Sequence, residues 1–179
     1  MEITHDGGRS WSDWTSRAAV AHVTDKVYIG NFEGAKRAIA EWPAEGAVLN
    51  VSTHNLDGAD GTLGVKDEPM GTDAARSFMI AASDKLEAMR EAPWVLVNCV
   101  GGINRSSAAV LTWMVRHRGY SRTRAKKILR EAKAKQARRL QFKSRYQSYK
   151  PGAATRDLYA WPTFAGGASR DFDRVLSQL

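Results

Sequence analysis

Residues 94–115 constrain the fold of this 179-residue chain more than any other segment. A short apolar stretch at residues 94–97 leads into a loop that contains two glycines, and an apolar run at residues 108–115 follows the loop. A short apolar run fits a buried strand, and a run that is apolar on nearly all sides fits a buried helix. The segment therefore predicts a strand, a glycine-containing loop and a central helix inside one core.

Strand-like and helix-like stretches alternate along much of the chain. The strand-like runs are residues 22–23, 27–29, 47–51, 63–65 and 94–98, and the helix-like runs are residues 33–41, 73–91 and 107–118. A further helix follows, which Ser121 can cap. Such alternation favours a parallel sheet covered by helices. We predict an α/β fold with a central, mostly parallel, twisted sheet of about five strands flanked by helices.

The length of the chain fits one domain with a proper core. We predict a single domain over residues 1–150, with an N-terminal cap over residues 1–21 that contains Trp11 and Trp14. Residues 151–179 form a predicted C-terminal extension. Within it we expect a loop at residues 151–167, followed by a short helix at residues 169–179 that Ser169 caps.

Cys99, the only cysteine, begins the glycine loop, and Arg105 completes a Cys-x5-Arg pattern. Backbone N–H groups in such a loop form a cradle for anions, and the start of the following helix adds positive potential. The same field favours the nucleophilic thiolate form of a cysteine. The planar guanidinium of Arg105 can bind two phosphate oxygens. The pattern therefore indicates attack of a thiolate on a phosphoryl group.

The ordinary alternative for a lone cysteine is a buried structural thiol. The glycines and the arginine beside Cys99 favour the phosphate-binding interpretation, because a structural thiol needs neither. Ser106 follows the arginine directly, so its hydroxyl can reach back toward the sulfur. The backbone groups predicted to bind phosphate belong to Val100, Gly101, Gly102, Ile103 and Asn104.

Residues 98–106 resemble the signature of the cysteine-based protein tyrosine phosphatases, His-Cys-x-x-Gly-x-x-Arg-Ser, with Asn98 in place of the histidine. The similarity is greatest to the compact dual-specificity phosphatases and covers about residues 22–132. It includes residues 27–31, 48–52 and 63–67, which are similar to three of the family's strands. The resemblance implies four roles: the nucleophile Cys99, the phosphate clamp Arg105, the general acid Asp67 and the helper of thiolate departure Ser106.

Asp67 can also be argued from the chemistry. The oxygen that leaves a phosphate ester needs a proton, and no histidine stands in the loop to supply it. A carboxylic acid is then the natural donor, and Pro69 and Gly71 indicate that Asp67 lies in a loop. Three other carboxylates compete for the role, and the third of them fits the start of a helix better: Asp57, Asp60 and Asp73.

Asn98 is a departure from the family signature with a chemical consequence. An asparagine can form hydrogen bonds but cannot carry a positive charge. We therefore expect the thiolate of Cys99 to form at a higher pH than in relatives with the histidine, but at a lower pH than a free thiol.

The net charge of +8 comes from one segment. Residues 116–145 carry 13 Lys or Arg and one acidic residue, a formal charge of +12, whereas the rest of the chain has 14 basic and 18 acidic residues. One interpretation is a helix with a solvated face. The other is a surface for RNA, acidic proteins or membranes. We assign Lys133, Lys135, Arg138 and Arg139 to this surface, and Tyr146 and Tyr149 could stack on bases.

Other features narrow the cellular setting and the chemistry. A single cysteine excludes a disulfide within the chain and fits a reducing compartment, so we expect a cytoplasmic protein. No apolar run approaches the length of a membrane span, and the first residues do not resemble a signal peptide. The four histidines show no spacing typical of metal ligands. We predict no metal and no cofactor, and leave the oligomeric state open.

Three functions are consistent with the sequence. The first is a phosphatase that hydrolyses phosphotyrosine in proteins, with phosphoserine and phosphothreonine as further candidates, through a phosphocysteine. The second is an RNA 5′-triphosphatase or another nucleic-acid-directed phosphatase that uses the same loop. The third, from another class, is a phosphate-binding module without catalytic activity. A phosphoprotein substrate is the first expectation, and the basic segment offers RNA or an acidic protein as further partners.

Overall fold

The computed structural model describes residues 4–5, 9–10, 17–141 and 161–179 of the chain. The strands in these residues are β1 (Thr4–His5), β2 (Arg9–Ser10), β3 (Val20–Thr24), β4 (Val27–Gly30), β5 (Ala47–Asn50), β6 (Gly61–Thr62) and β7 (Val95–Asn98). The helices are α1 (Phe32–Glu41), α2 (Thr72–Ala88), α3 (Arg105–Arg116), α4 (Arg122–Leu140) and α5 (Ser169–Leu176). Trp11, Trp14, Tyr146, Tyr149 and Tyr159 lie outside the described residues, as do residues 142–145 of the basic segment.

The sheet has five strands in the order β3-β4-β7-β5-β6. Strand β3 is antiparallel to β4, and every other pair is parallel. The last residues of three neighbouring strands, Gly30, Asn98 and Asn50, lie opposite one another. Because the carboxyl ends of parallel strands meet at one edge, the loop after β7 opens beside the loops after β4 and β5. The predicted α/β fold with a mostly parallel sheet of about five strands is confirmed.

Both faces of the sheet are covered by helices. Helix α1 packs on one face, where Val48 and Leu96 join a small apolar cluster. The main core lies on the other face and includes residues of α2, α3, α4 and α5. Residues 105–114 of α3 are all buried, which confirms the predicted central helix. This packing fixes both ends of the loop between β7 and α3.

One predicted strand is wrong. Residues 63–65 form no strand, and β6 instead covers Gly61–Thr62. The amide of Leu63 still donates to the carbonyl of Asn50, but β5 ends at that residue. Since β6 pairs only with β5, the chain beyond Leu63 has no partner strand. The residues that follow contact the loop after β7 and the start of α3 instead, through Val65 and Asp67.

Smaller differences concern helix ends. Helix α2 ends at Ala88 rather than residue 91, because the next residues form tight turns before Pro93. Ser121 caps α4 by accepting a hydrogen bond from the amide of Arg124, as predicted. Ser169 does not cap α5, since it is already the first helical residue. Among the described residues, none of the helices is both long and apolar enough to span a bilayer.

Residues 161–179 pack into the main core. Phe172, Val175 and Leu176 of α5 are fully buried, and the ring of Phe172 lies 5.6 Å from that of Phe78 in α2. Helix α5 contacts both α2 and α3. The domain limits of residues 1–150 stay a prediction, but the described end of the chain shares the core of the sheet.

We expect Phe172→Ala to lower the free energy of unfolding by about 3–5 kcal/mol, the usual cost of removing a fully buried phenyl ring. Urea denaturation measures this change. Leu179→Ala is the matched control, because Leu179 is an exposed apolar residue just beyond the same helix. A loss below about 1 kcal/mol for Phe172→Ala would mean that α5 is not part of the cooperative core.

Candidate active site

The loop between β7 and α3 begins at Cys99, whose side chain is only 1% exposed. Its sulfur lies 3.2 Å from the hydroxyl oxygen of Ser106, in the first turn of α3. Gly102 has a φ of +66°, and a Cβ there would lie 2.9 Å from the carbonyl oxygen of Gly30. Only glycine fits such a turn without strain. The loop therefore places a buried thiol beside a hydroxyl, just before a helix N-terminus.

Arg105, the first residue of α3, is 5% exposed and directed toward the segment after β6. One terminal nitrogen, Nη1, donates to the carbonyl of Val65 at 2.7 Å. The Nε atom lies 3.9 Å from a carboxylate oxygen of Asp67. Nε is buried and has no hydrogen-bond partner. A buried cationic donor without a partner favours an anion in this site, because such a group is costly to leave unpaired.

Asp67 is brought to the loop although the sequence separates it from Cys99 by the whole of α2. The side-chain amide of Asn104 donates to both carboxylate oxygens of Asp67 at 3.1 Å. The backbone amide of Ala168 also donates to the carboxylate, at 3.1 Å. The side chain of Asp67 remains 28% exposed. The carboxylate is thus held at the rim of the site and is still accessible.

The three competing aspartates have other contacts. Asp60 accepts a hydrogen bond from the backbone amide of Val48, and Asp57 accepts one from Asn55. Asp73 lies in the first turn of α2, where a negative charge suits the helix N-terminus. In the described contacts, Asp67 alone among the four candidates reaches the loop.

Asn98 closes β7 and is completely buried. Its amide nitrogen donates to the side-chain oxygen of Asn50 at 3.2 Å, and that oxygen also accepts from the hydroxyl of Ser52 at 2.8 Å. These contacts join the ends of two neighbouring strands below the loop. Asn98 therefore links the ends of β7 and β5 by one hydrogen bond without adding charge, and its own side-chain oxygen is buried without a partner. Its predicted effect on the thiolate stays a prediction.

Comparison with solved structures finds phosphatases. A mouse protein described as a dual-specificity phosphatase, crystallised as a complex with zinc tungstate, is 27% identical, with a TM-score of 0.53 over 64% of this chain and 75% of that chain. The chain belongs to the cysteine-based protein tyrosine phosphatase superfamily. It falls in the dual-specificity branch, and its class is that of cysteine-dependent phosphatases, which hydrolyse phosphoric monoesters.

Two more distant structures share the fold of this phosphatase. Human DUSP28 is 24% identical with a TM-score of 0.53, over 64% of this chain and 80% of that chain. OH1 from the Orf virus, a tyrosine phosphatase with triple substrate specificity, is 20% identical with a TM-score of 0.55, over 89% and 84%. No protein-family model matches the chain, and no curated protein does.

The charge pattern of the sequence predicts that Lys133 lies on an exposed basic surface, and this prediction is wrong. Lys133 is fully buried. Its ammonium donates to the carbonyl of Gly102 at 2.7 Å, to the hydroxyl of Ser107 at 2.7 Å and to the carbonyl of Pro162 at 2.8 Å. One signal was present in the sequence: Lys133 follows Leu129 by four residues, on the apolar stripe of α4.

The C-terminal segment 161–168 forms a second, unpredicted part of the phosphatase site. The indole N–H of Trp161 donates to the carbonyl of Gly101 at 3.0 Å. The side chain of Asn104 accepts from the amide of Ala165 at 2.8 Å and donates to its carbonyl at 3.0 Å. Gly167 lies so close to Asp67 that any Cβ there would collide with the carboxylate. This segment therefore braces both the loop and the aspartate.

Proposed function

We propose that this phosphatase hydrolyses phosphotyrosine in proteins, with phosphoserine and phosphothreonine as further substrates, through a phosphocysteine at Cys99. The observation that carries the proposal is one loop with a buried thiol at its start and, just after it, a buried guanidinium whose unpartnered Nε lies 3.9 Å from the carboxylate of Asp67. The mouse neighbour supports it, because tungstate is a tetrahedral oxyanion like phosphate.

In the first step, the thiolate of Cys99 attacks phosphorus and the bond from phosphorus to the ester oxygen breaks. Arg105 binds two of the equatorial oxygens, whose negative charge is also stabilised by the loop amides and the N-terminus of α3. Protonated Asp67 gives its proton to the leaving oxygen, so that an alcohol or phenol departs. The products of this step are the phosphocysteine and the Asp67 carboxylate.

In the second step, water attacks the phosphocysteine and the bond from phosphorus to sulfur breaks. The Asp67 carboxylate removes a proton from the water, which restores the acid for the next cycle. The hydroxyl of Ser106, 3.2 Å from the sulfur, can donate a hydrogen bond to the departing thiolate. Inorganic phosphate and the thiolate of Cys99 are the products, and the cycle requires neither metal nor cofactor.

The alternative is an RNA 5′-triphosphatase or another nucleic-acid-directed phosphatase. The observation that favours it is the row of exposed cations on α4, which includes Lys127, Arg130, Lys135 and Arg139. Both substrates would use the same loop. Membership of an enzyme superfamily argues against the third candidate, a phosphate-binding module without catalytic activity.

Hydrolysis of a phosphotyrosine peptide and of a 5′-triphosphate RNA, measured side by side, distinguishes these two enzymes. We expect turnover of the peptide, no turnover by Cys99→Ser, and retained peptide binding by that variant. Full activity of Cys99→Ser, or loss of activity on addition of a chelator, would contradict the phosphocysteine mechanism. Rapid release of phosphate from the RNA, without hydrolysis of the peptide, would favour the nucleic-acid-directed enzyme.

Asp67→Asn should lower turnover of a phenyl phosphate by about 10²–10⁴, the usual contribution of general acid–base catalysis. The loss should be much smaller for an aryl phosphate with strongly electron-withdrawing substituents, because its leaving group needs no proton. Asp57→Asn is the control, since Asp57 is exposed and contacts Asn55 rather than the loop. Equal losses on both substrates would assign the acid to another residue.

The exposed cations of α4 give a separate prediction for Lys127, Lys135 and Arg139, which excludes the buried Lys133. Replacing these three residues with glutamine should weaken binding of RNA or an acidic protein and flatten its salt dependence, because fewer counterions are released. Hydrolysis of a small aryl phosphate should not change. The matched control replaces three exposed cations elsewhere, Lys26, Lys36 and Arg37, with glutamine. If the α4 variant binds RNA and acidic protein as tightly as the parent does, the exposed cations of α4 form only a solvated helix face.

A further inference from the structure

Lys133 is a buried cation whose three donors all bind neutral oxygens. Its ammonium reaches the carbonyls of Gly102 and Pro162 and the hydroxyl of Ser107, and its described contacts include no carboxylate. Burial of an ammonium without a negative partner is costly. Burial lowers the pKa of Lys133 to about 7, and the attraction to Cys99 acts in the opposite direction. Among the described interactions of Lys133, the attraction to Cys99 is the one that favours its charged form.

The contacts of Lys133 are made to the loop itself. Gly102 is the residue that turns at positive φ, and its carbonyl is fixed by the ammonium at 2.7 Å. Ser107 follows Ser106, the residue whose hydroxyl lies 3.2 Å from the sulfur of Cys99. Lys133 thus holds the loop on both sides of the arginine. Asn98, directly before the cysteine, donates one side-chain hydrogen bond, to Asn50, and carries no charge.

We infer that Lys133 is a positioning residue of the phosphatase loop: it fixes the carbonyl of Gly102 and the hydroxyl of Ser107, and its positive charge favours the thiolate of Cys99. The inference extends the proposed function, in which that thiolate is the nucleophile. It assigns one cation of the basic segment to the active site, whereas the sequence pattern predicts that this cation lies on the surface. Because the interaction is reciprocal, the thiolate also favours the ammonium form of Lys133.

Other charged groups lie near this pair. Arg105 follows the loop directly, and its Nε atom lies 3.9 Å from the carboxylate of Asp67. His22 of β3 lies on the exposed side of its strand, against Tyr28. Several charged groups on helices packed nearby form pairs with one another or with backbone amides: Lys126 with Asp173, Arg116 and His117 with Asp84, and Asp171 with the amides of Met70 and Gly71. A substitution of Lys133 leaves all of these charged side chains in the protein.

Alkylation of Cys99 by iodoacetamide across pH tests the charge directly, since the chain has no other cysteine. Lys133→Gln removes the charge but keeps an N–H donor, whereas Lys133→Arg keeps the charge. We expect the midpoint of the alkylation profile to rise by about one pH unit in Lys133→Gln, the lower end of the effect of a nearby opposite charge. At pH values below the midpoint, the alkylation rate should then fall about tenfold.

Lys133→Arg should keep the midpoint close to that of the parent. Lys135→Gln is the control, because Lys135 is exposed on the same helix. The pH profile of kcat/KM on a small aryl phosphate should shift with the alkylation midpoint. An unchanged midpoint in Lys133→Gln, or equal shifts in Lys133→Gln and Lys133→Arg, would overturn the charge role.

A second measurement leaves Lys133 in place, so it holds even if Lys133→Gln unfolds. ¹⁵N NMR follows the titration of the Lys133 Nζ atom in the parent and in Cys99→Ser. Because the thiolate favours the ammonium, the titration midpoint should fall in Cys99→Ser; an equal or higher midpoint would overturn the inference. Neither titration requires turnover. If the parent protein is inactive but both titration shifts are observed, the proposed function is refuted and the role of Lys133 stands. If the parent is active but neither shift is observed, the role of Lys133 is refuted and the proposed function stands.

Discussion

The position of β7 between two parallel neighbours is the constraint on which the site depends. Strand β7 pairs with β4 and β5, and α3, which follows it after a short loop, is buried along most of its length. Neither end of the loop can move without disturbing the core. A buried thiol, a left-handed glycine and a guanidinium are therefore held in fixed relation before any ligand arrives. Such preorganisation is what makes electrostatic stabilisation of a transition state effective.

The site also shows how buried polar groups can be placed at the edge of a sheet. Asn98 and Ser52 both donate to the side-chain oxygen of Asn50, although the side-chain oxygen of Asn98 itself is buried without a partner. Asn104 links the loop to Asp67, and the ammonium of Lys133 donates three hydrogen bonds. Each of these groups would be costly to bury alone. Together they form a polar layer between the apolar core and the ligand side. The loop thus rests on hydrogen bonds between buried groups rather than on surface charges.

The parts of this molecule that were predictable from sequence are those encoded locally. The strand before Cys99, the helix after it and the cap at Ser121 follow from runs of neighbouring residues, and the structure has them close to the predicted places. The prediction of a strand at residues 63–65 was wrong because a strand there needs a partner, and the neighbouring strand β5 already ends at Asn50. The predicted exposure of Lys133 was wrong because composition places a lysine on the surface by default. The acceptors that allow its burial include residues 31 and 29 positions away in the sequence. Contacts of that range leave little trace in one sequence.

The brace formed by residues 161–168 has a consequence for the order in which the molecule is made. Trp161, Ala165 and Gly166 contact loop residues that precede them by 60–62 positions. During synthesis the sheet and its central helix can begin to fold as soon as they leave the ribosome. The loop then lacks its contacts with residues 161–168 until the segment after residue 160 has emerged. During translation, the sheet can therefore fold before the site is complete.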